Sequence, residues 1–270
     1  MARFDWYQGT VQQVSQVSHS AVAAGLLRCF DLADLAPSTP RNGYTKAAEV
    51  RRGDRVLARL MWEGNPGVHV IGSGENAPAV AEYLRGMGVK HRVTRADACE
   101  DWIEPGLFDS LSGALIRYAK GTRIQINQQG DWVRGQSRTL YLGARSSTSQ
   151  LVLYEKGYEA GGDKNWVRLE SRVYPKGEHG LRVAKWTPGE CFGASAWMVE
   201  ALTCIGWDHL QAQSVGTIYR PSDVERARAA LLTQYGAILE RWALDAGGWD
   251  SLGPVLSESL AVVRKRRVLS

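Results

Sequence analysis

A chain of 270 residues, 44% hydrophobic and 23% charged, has ordinary globular composition, which excludes a disordered, collagen-like or coiled-coil protein. No stretch approaches the ~20 consecutive apolar residues of a membrane helix, and at roughly 150 residues per domain the length suits one large domain or two small ones. The 33 Lys+Arg against 28 Asp+Glu leave a net charge of +5, too little for a histone-like polycation but compatible with a polyanionic partner.

In chain order, residues 4–14 alternate enough for a strand, and 19–31 carry Val22, Leu26, Leu27 and Phe30 at helical spacing. Pro, Asn and Gly make 36–43 a loop. Strands are expected at 44–51 and 54–63, joined through ArgArgGlyAsp, and at 68–72, followed by a helix over 77–87 that Gly88 ends. The second half begins with a long strand over 89–102. A helix opens at Pro105 and runs to about Lys120, with Leu107, Leu111, Leu115 and Tyr118 on one face. Strands at 122–129, 137–143, 150–156 and 165–174 follow, separated by QQGD, ARSST and GYEAGGDK, and 186–205 and 222–246 are expected to be helical. Each half thus gives a strand, a helix and a run of strands. That is an α+β pattern, an antiparallel sheet with helices on one face, built from two related units. The expected organisation is a domain over 1–187, with units of about 1–88 and 89–187, and a helical region over 188–270 with a basic tail.

The four cysteines, Cys29, Cys99, Cys191 and Cys204, are far apart with no CxxC pair. This spacing argues for a reducing compartment rather than a disulfide framework or structural zinc. MARFDWYQGT lacks the apolar core of a secretory signal, so the expected location is cytoplasmic, with no membrane partner.

A strand has a side-chain period of two, so each face can be assigned. Arg95, Asp97, Cys99 and Asp101 share one face; so do Val152, Tyr154 and Lys156; so do Arg168, Glu170 and Arg172. If the three stripes face the same way, they assemble acids beside a tyrosine, a lysine and arginines. Hard oxygen ligands such as Asp97, Asp101 and Glu170 suit Mg²⁺ or Mn²⁺. A tyrosine can attack phosphorus, and a nearby cation stabilises the developing charge. These are the parts of an enzyme that cuts and rejoins DNA. The same stripes also suit a solvated polar face laced with cross-strand ion pairs.

The segment TLYLGARSSTSQLVLYEKGYEAGGDKNWVRLESRVYP (139–175) resembles the Rep_trans family of replication initiation factors, which act in rolling-circle replication of filamentous phages and small plasmids. TRADACED (94–101), GVHVIGSGENAPAV (67–80) and the opening FDWYQGTV (4–11) are similar to further family pieces in the same order. The resemblance implies that Tyr154 is the nucleophile with Lys156 beside it, and that Asp97, Asp101 and Glu170 hold Mg²⁺ or Mn²⁺. It implies that Arg168 orients Glu170 or the DNA. Arg95, Arg145, Arg168 and Arg172 are the expected DNA contacts. The implied activity is a bacterial, cytoplasmic nicking and closing of origin DNA through a 5′-phosphotyrosine, with host helicase and polymerase as partners and a homodimer as the assembly. A non-catalytic origin-binding repressor and a conjugative relaxase are the alternatives. Two departures stand out: Tyr158 follows Tyr154 by four residues, and Glu155 occupies a position where the family often has Asp.

His69 and His91 are isolated, without the second histidine of a His-hydrophobe-His metal strand, and are expected to be satisfied within the fold. VIGSGENAP has neither a full GxGxxG nor a Walker lysine, which argues against dinucleotide binding and an ATPase. Trp6, Trp62, Trp102, Trp132 and Trp166 are candidates to stack on single-stranded bases, though core or rim packing suits most of them. The tail ArgLysArgArg (264–267) suits phosphate contact or a solvated terminus.

Overall fold

Alternation along FDWYQGTV places Tyr7, Gly9 and Val11 opposite Trp6, Gln8 and Thr10, and the strand that results is the axis of the fold. In the computed structural model, which describes residues 1–12, 18–216 and 223–268, the chain divides into two units, Met1–Ile218 and Tyr219–Ser270. The first half of the larger unit consists of β1 (Arg3–Val11), α1 (His19–Arg28), β2 (Asp34–Pro37), β3 (Lys46–Arg52), β4 (Arg55–Trp62), β5 (Val68–Ser73) and α2 (Ala77–Gly86). The second half consists of β6 (His91–Ile103), α3 (Leu107–Lys120), β7 (Ile126–Asp131), β8 (Gln136–Leu142), β9 (Ser149–Glu155), α4 (Lys156–Ala160) and β10 (Trp166–Val173). Three short helices complete the unit: α5 (His179–Val183), α6 (Pro188–Cys191) and α7 (Ala196–Thr203). The smaller unit contains α8 (Asp223–Asp245) and α9 (Trp249–Val268).

The described strands form one open ten-stranded sheet in the order β2-β3-β4-β5-β1-β6-β10-β9-β8-β7, with every described neighbour antiparallel. The fold is α+β, as the element pattern predicts. The order also shows that the two halves share one topology. In each, the first strand lies at the centre, the last strand pairs with it, and the remaining strands run outward in reverse chain order. The halves meet at the antiparallel β1–β6 pair.

One face of this sheet is the apolar core. Tyr7, Leu60, Val70, Leu140, Leu151, Leu153 and Leu169 are fully buried there. Gly72 lets α2 lie close on β5, because a Cβ at this position would overlap Val80 at 2.7 Å. The predicted helix over 186–205 is broken into α6 and α7: Pro188 starts a helix through the Thr187 capping box, and Gly193 lies in the break, too close to Gln211 to accept a side chain. QQGD does not form a turn. Gln128 and Gln129 belong to β7, Gly130 forms an irregularity with φ 89°, and the chain reverses over 132–135. β2 (Asp34–Pro37) has no counterpart among the expected strands, and its last two residues fall in the stretch expected to be a loop. The backbone of 264–267 is helical, and its side chains fall outside the described residues.

Candidate active site

The antiparallel register turns the three polar stripes to the same face, opposite the apolar core, with α4 at its rim. Arg168 pairs with Asp101 on one side and Tyr154 on the other, Glu170 with Cys99 and Val152, and Arg172 with Asp97 and Gln150. Thr139 of β8 continues the Tyr154 row. A cavity of about 410 Å³ opens on this face, and Tyr154, Lys156, Asp97, Glu170, Arg95 and Arg172 line it. Asp101, Arg168 and Arg145 are not among its lining residues.

Asp97 and Glu170, two of the carboxylates that line the cavity, are each held by a neighbour on their own strand. Arg95 Nε donates to Asp97 at 2.9 and 3.0 Å, and Arg172 bonds Glu170 at 3.1 and 3.2 Å. Burial pushes the Asp97 carboxyl up to about 7, the nearby Glu170 charge adds to it, and the Arg95 hydrogen bond opposes it. Burial also pushes the Tyr154 phenol above the usual tyrosine range, reinforced by Glu170 and opposed by Arg168. As built, the cavity disfavours negative charge on both groups, and an added cation would relieve both.

Asp101 has a different setting. It accepts Arg168 Nε at 2.7 Å and Nη2 at 2.9 Å, Arg3 Nη2 at 2.9 Å and Trp166 Nε1 at 2.9 Å. Burial works against its charge, but the Arg168 and Trp166 hydrogen bonds win and hold it below the usual carboxylate range. Arg168, only 3% exposed, is also bonded to Asp5 at 2.9 Å. Among the described residues, no group of three or more His, Cys, Asp or Glu side chains converges to hold a metal ion. Asp97 and Glu170 are the pair that the fold brings together, and two hard carboxylates facing one cavity fit a divalent cation.

Lys156 is not a strand residue. β9 ends at Glu155, and Lys156 opens α4, with its Nζ 5.7 Å from the Tyr154 ring centroid and 3.2 Å from Glu159. Gly157 is required at this corner, because a Cβ would collide with the Asp163 carbonyl. Tyr158 lies in α4, not in a turn, with Lys164 Nζ 5.8 Å from its ring centroid, and it does not line the cavity. Both Glu155 oxygens are taken by Arg138, from the backbone N–H at 2.7 Å and Nη2 at 2.9 Å. Arg145 is exposed.

Asp5, Arg138 and Tyr141 also line the cavity; Asp5 and Tyr141 lie in segments that carry the family resemblance, but no expected role attaches to any of the three. The irregularity between Phe4 and Trp6 shifts Asp5 out of simple alternation, so the period of two hides it. Trp6 lines the cavity, with Arg95 4.4 Å above its ring. The other candidate indoles are occupied elsewhere: Trp62 stacks on His19, Trp102 meets Trp207, Trp132 packs on Phe108, and Trp166 bonds Asp101. His69 and His91 are satisfied by Thr10 and Tyr7, at 2.9 and 2.8 Å.

No family model matches the chain, and no curated protein does. Among solved structures, the chain is similar to a rolling circle replication initiator protein from Geobacillus stearothermophilus. The TM-score is 0.50 and the identity 20%, over 64% of this chain and 74% of that one. The likeness is one of fold.

Proposed function

We propose that this cavity cuts and rejoins one strand of origin DNA in rolling-circle replication. The observation that carries the reading is Tyr154 facing the Asp97–Glu170 pair and the Arg95 and Arg172 guanidiniums in one cavity of the open sheet. The likeness of fold and the order of the sequence motifs support it. In this reading the Tyr154 oxygen attacks the scissile phosphorus, the bond to the 3′ oxygen breaks, and the 5′ end stays on the protein as a phosphotyrosine. The phenol proton passes through solvent, and the departing 3′ oxygen leaves as a hydroxyl that can prime a polymerase. The reverse attack closes the strand.

Asp97 and Glu170 would hold Mg²⁺ or Mn²⁺. Such an ion, when bound, would polarise the phosphate and neutralise developing charge. Arg95 and Arg172 orient the two carboxylates. Arg168, tied to Asp5 and Asp101, stiffens the row on which Tyr154 stands and opposes the rise of its phenol. Lys156 lies beside the ring as a further positive charge. The test is incubation of the full chain with supercoiled DNA carrying its origin, in Mg²⁺ or in EDTA. Nicked circles and a covalent protein–DNA adduct should form only with the metal. Metal-independent nicking, or none on any origin candidate, would overturn the reading.

A further inference from the structure

The first half carries a second cavity on the same open face. It measures about 340 Å³, at the lower end of the ~300–1,000 Å³ typical of small-molecule sites. Its position follows from the repeated topology. β4 and β5 correspond to β9 and β10, and their open-face residues are Arg59, Met61, His69, Ile71 and Ser73. Neither a tyrosine nor a carboxylate is among them, so the chemistry proposed for the second half has no counterpart on these strands. The loop after β2 folds back over this end of the sheet, where the Tyr44 ring stacks on His69 with centroids 5.6 Å apart.

We propose that this cavity receives an unpaired nucleotide of the DNA strand flanking the scissile phosphate. The strand would then cross from the catalytic half to the first half over Trp6. The inference rests on the nicking reading above and adds a path for the substrate. Three observations support it. Trp6 lines both cavities, so they adjoin at an aromatic surface. Its Nε1 donates to Gln8 at 2.9 Å, which sets the ring plane; Arg95 lies 4.4 Å over one face of the ring, so a base would stack on the other face of this fixed indole or displace the guanidinium. The lining combines an apolar floor of Met61 and Ile71 with the polar groups of Gln8, Thr39 and Asn42, a mixture that suits a base edge. Arg41 lines the cavity, is exposed, and forms no ion pair among the described residues, so its charge is available to a phosphate. The nearby acid does not cancel it: Glu49 accepts from Ser38 at 3.0 Å and Arg59 at 2.8 Å, with Arg51 at 3.2 Å.

Anisotropy titrations of the full chain in EDTA, where cleavage is blocked, test the path. One oligonucleotide covers the nick site only, and others extend it by a few nucleotides on the 5′ or the 3′ side. One extension, not both, should tighten binding by about 10-fold, a stacking-sized gain. Replacing the added nucleotides by abasic ones should remove most of that gain, and so should Arg41→Glu. Arg41→Glu should still form the Tyr154 adduct on the short oligonucleotide, which separates failure of this inference from failure of the nicking reading. Equal affinity for short and extended oligonucleotides would overturn the inference. So would a gain that persists with abasic nucleotides, or an Arg41→Glu loss of equal size on both lengths. Those outcomes would mean a general attraction for phosphate.

Discussion

Tyr154 and Tyr158 lie four residues apart in one segment but in different mechanical settings. Tyr154 is the penultimate residue of an interior strand, paired on both sides, with β8 and β10. Tyr158 belongs to a five-residue helix at the rim of the sheet. A nucleophile needs a fixed line of attack, and the strand supplies it. Tyr154→Phe should therefore abolish the covalent adduct and leave origin binding intact, while Tyr158→Phe keeps most of the activity. Peptide mapping of the trapped adduct decides between them, and a nucleotide on Tyr158 would refute the assignment. Asp97→Asn should eliminate nicking and spare binding, because binding rests on phosphate contacts spread over the surface; full nicking by this variant at ordinary Mg²⁺ would remove Asp97 from the site. The two satisfied histidines contribute to acid stability. Burial lowers both His69 and His91 from 6.5 to about 4, with Arg85 adding to the effect at His91. Between these values each histidine binds more protons in the unfolded chain than in the folded one, so the histidine contribution is complete above about pH 6.5 and is lost as the pH drops toward 4, while Asp97, raised to about 7, contributes with the opposite sign. Thermal melts of wild type and His91→Gln across this range should show a shallower acid loss in the variant. Identical slopes would exonerate His91.

At the scale of elements, a face is easier to predict than a site. The period of two correctly places Asp97, Tyr154, Glu170 and Arg172 on one surface, because antiparallel pairing keeps that parity across strands. It does not show how far apart residues on one strand lie. Asp97 and Asp101 share a face, but four residues of extended chain separate them by about 13 Å. Two arginines and an indole have claimed Asp101 there. Lys156 escapes the parity rule for another reason: the strand ends at Glu155, one residue earlier than expected, where Lys156 opens α4 and Gly157 packs against the Asp163 carbonyl of the same connection. The predicted helix over 186–205 is likewise interrupted, at Gly193, which lies too close to the Gln211 carbonyl to take a side chain. α2 offers a direct check on packing. Gly72→Leu would drive a side chain into Val80 and Ala77, and overpacking of this kind costs about 1–3 kcal/mol or more. Urea unfolding should show the loss, and an unchanged midpoint would mean that α2 can move aside.

For the whole molecule, the net charge of +5 and the open sheet face predict a strong salt dependence of DNA binding. The log–log slope should be about −0.7 for each phosphate neutralised on a single strand and about −0.9 on duplex. A salt-independent affinity for origin DNA would count against the DNA contacts expected of Arg95, Arg145, Arg168 and Arg172. The repeated topology also has a consequence for how the chain is made. β1 leaves the ribosome before the other strands, yet it occupies the middle of the finished sheet, flanked by β5 and β6, which are synthesised later. The first half can close on β5 before β6 has emerged, leaving one edge of β1 unpaired for a few seconds at ~5–20 residues per second. An unpaired edge with a buried-type apolar face is a template for pairing with other chains. The nascent first half is therefore a stage at which this edge is open to pairing with other chains, and slowing translation between β5 and β6 should lower the soluble yield.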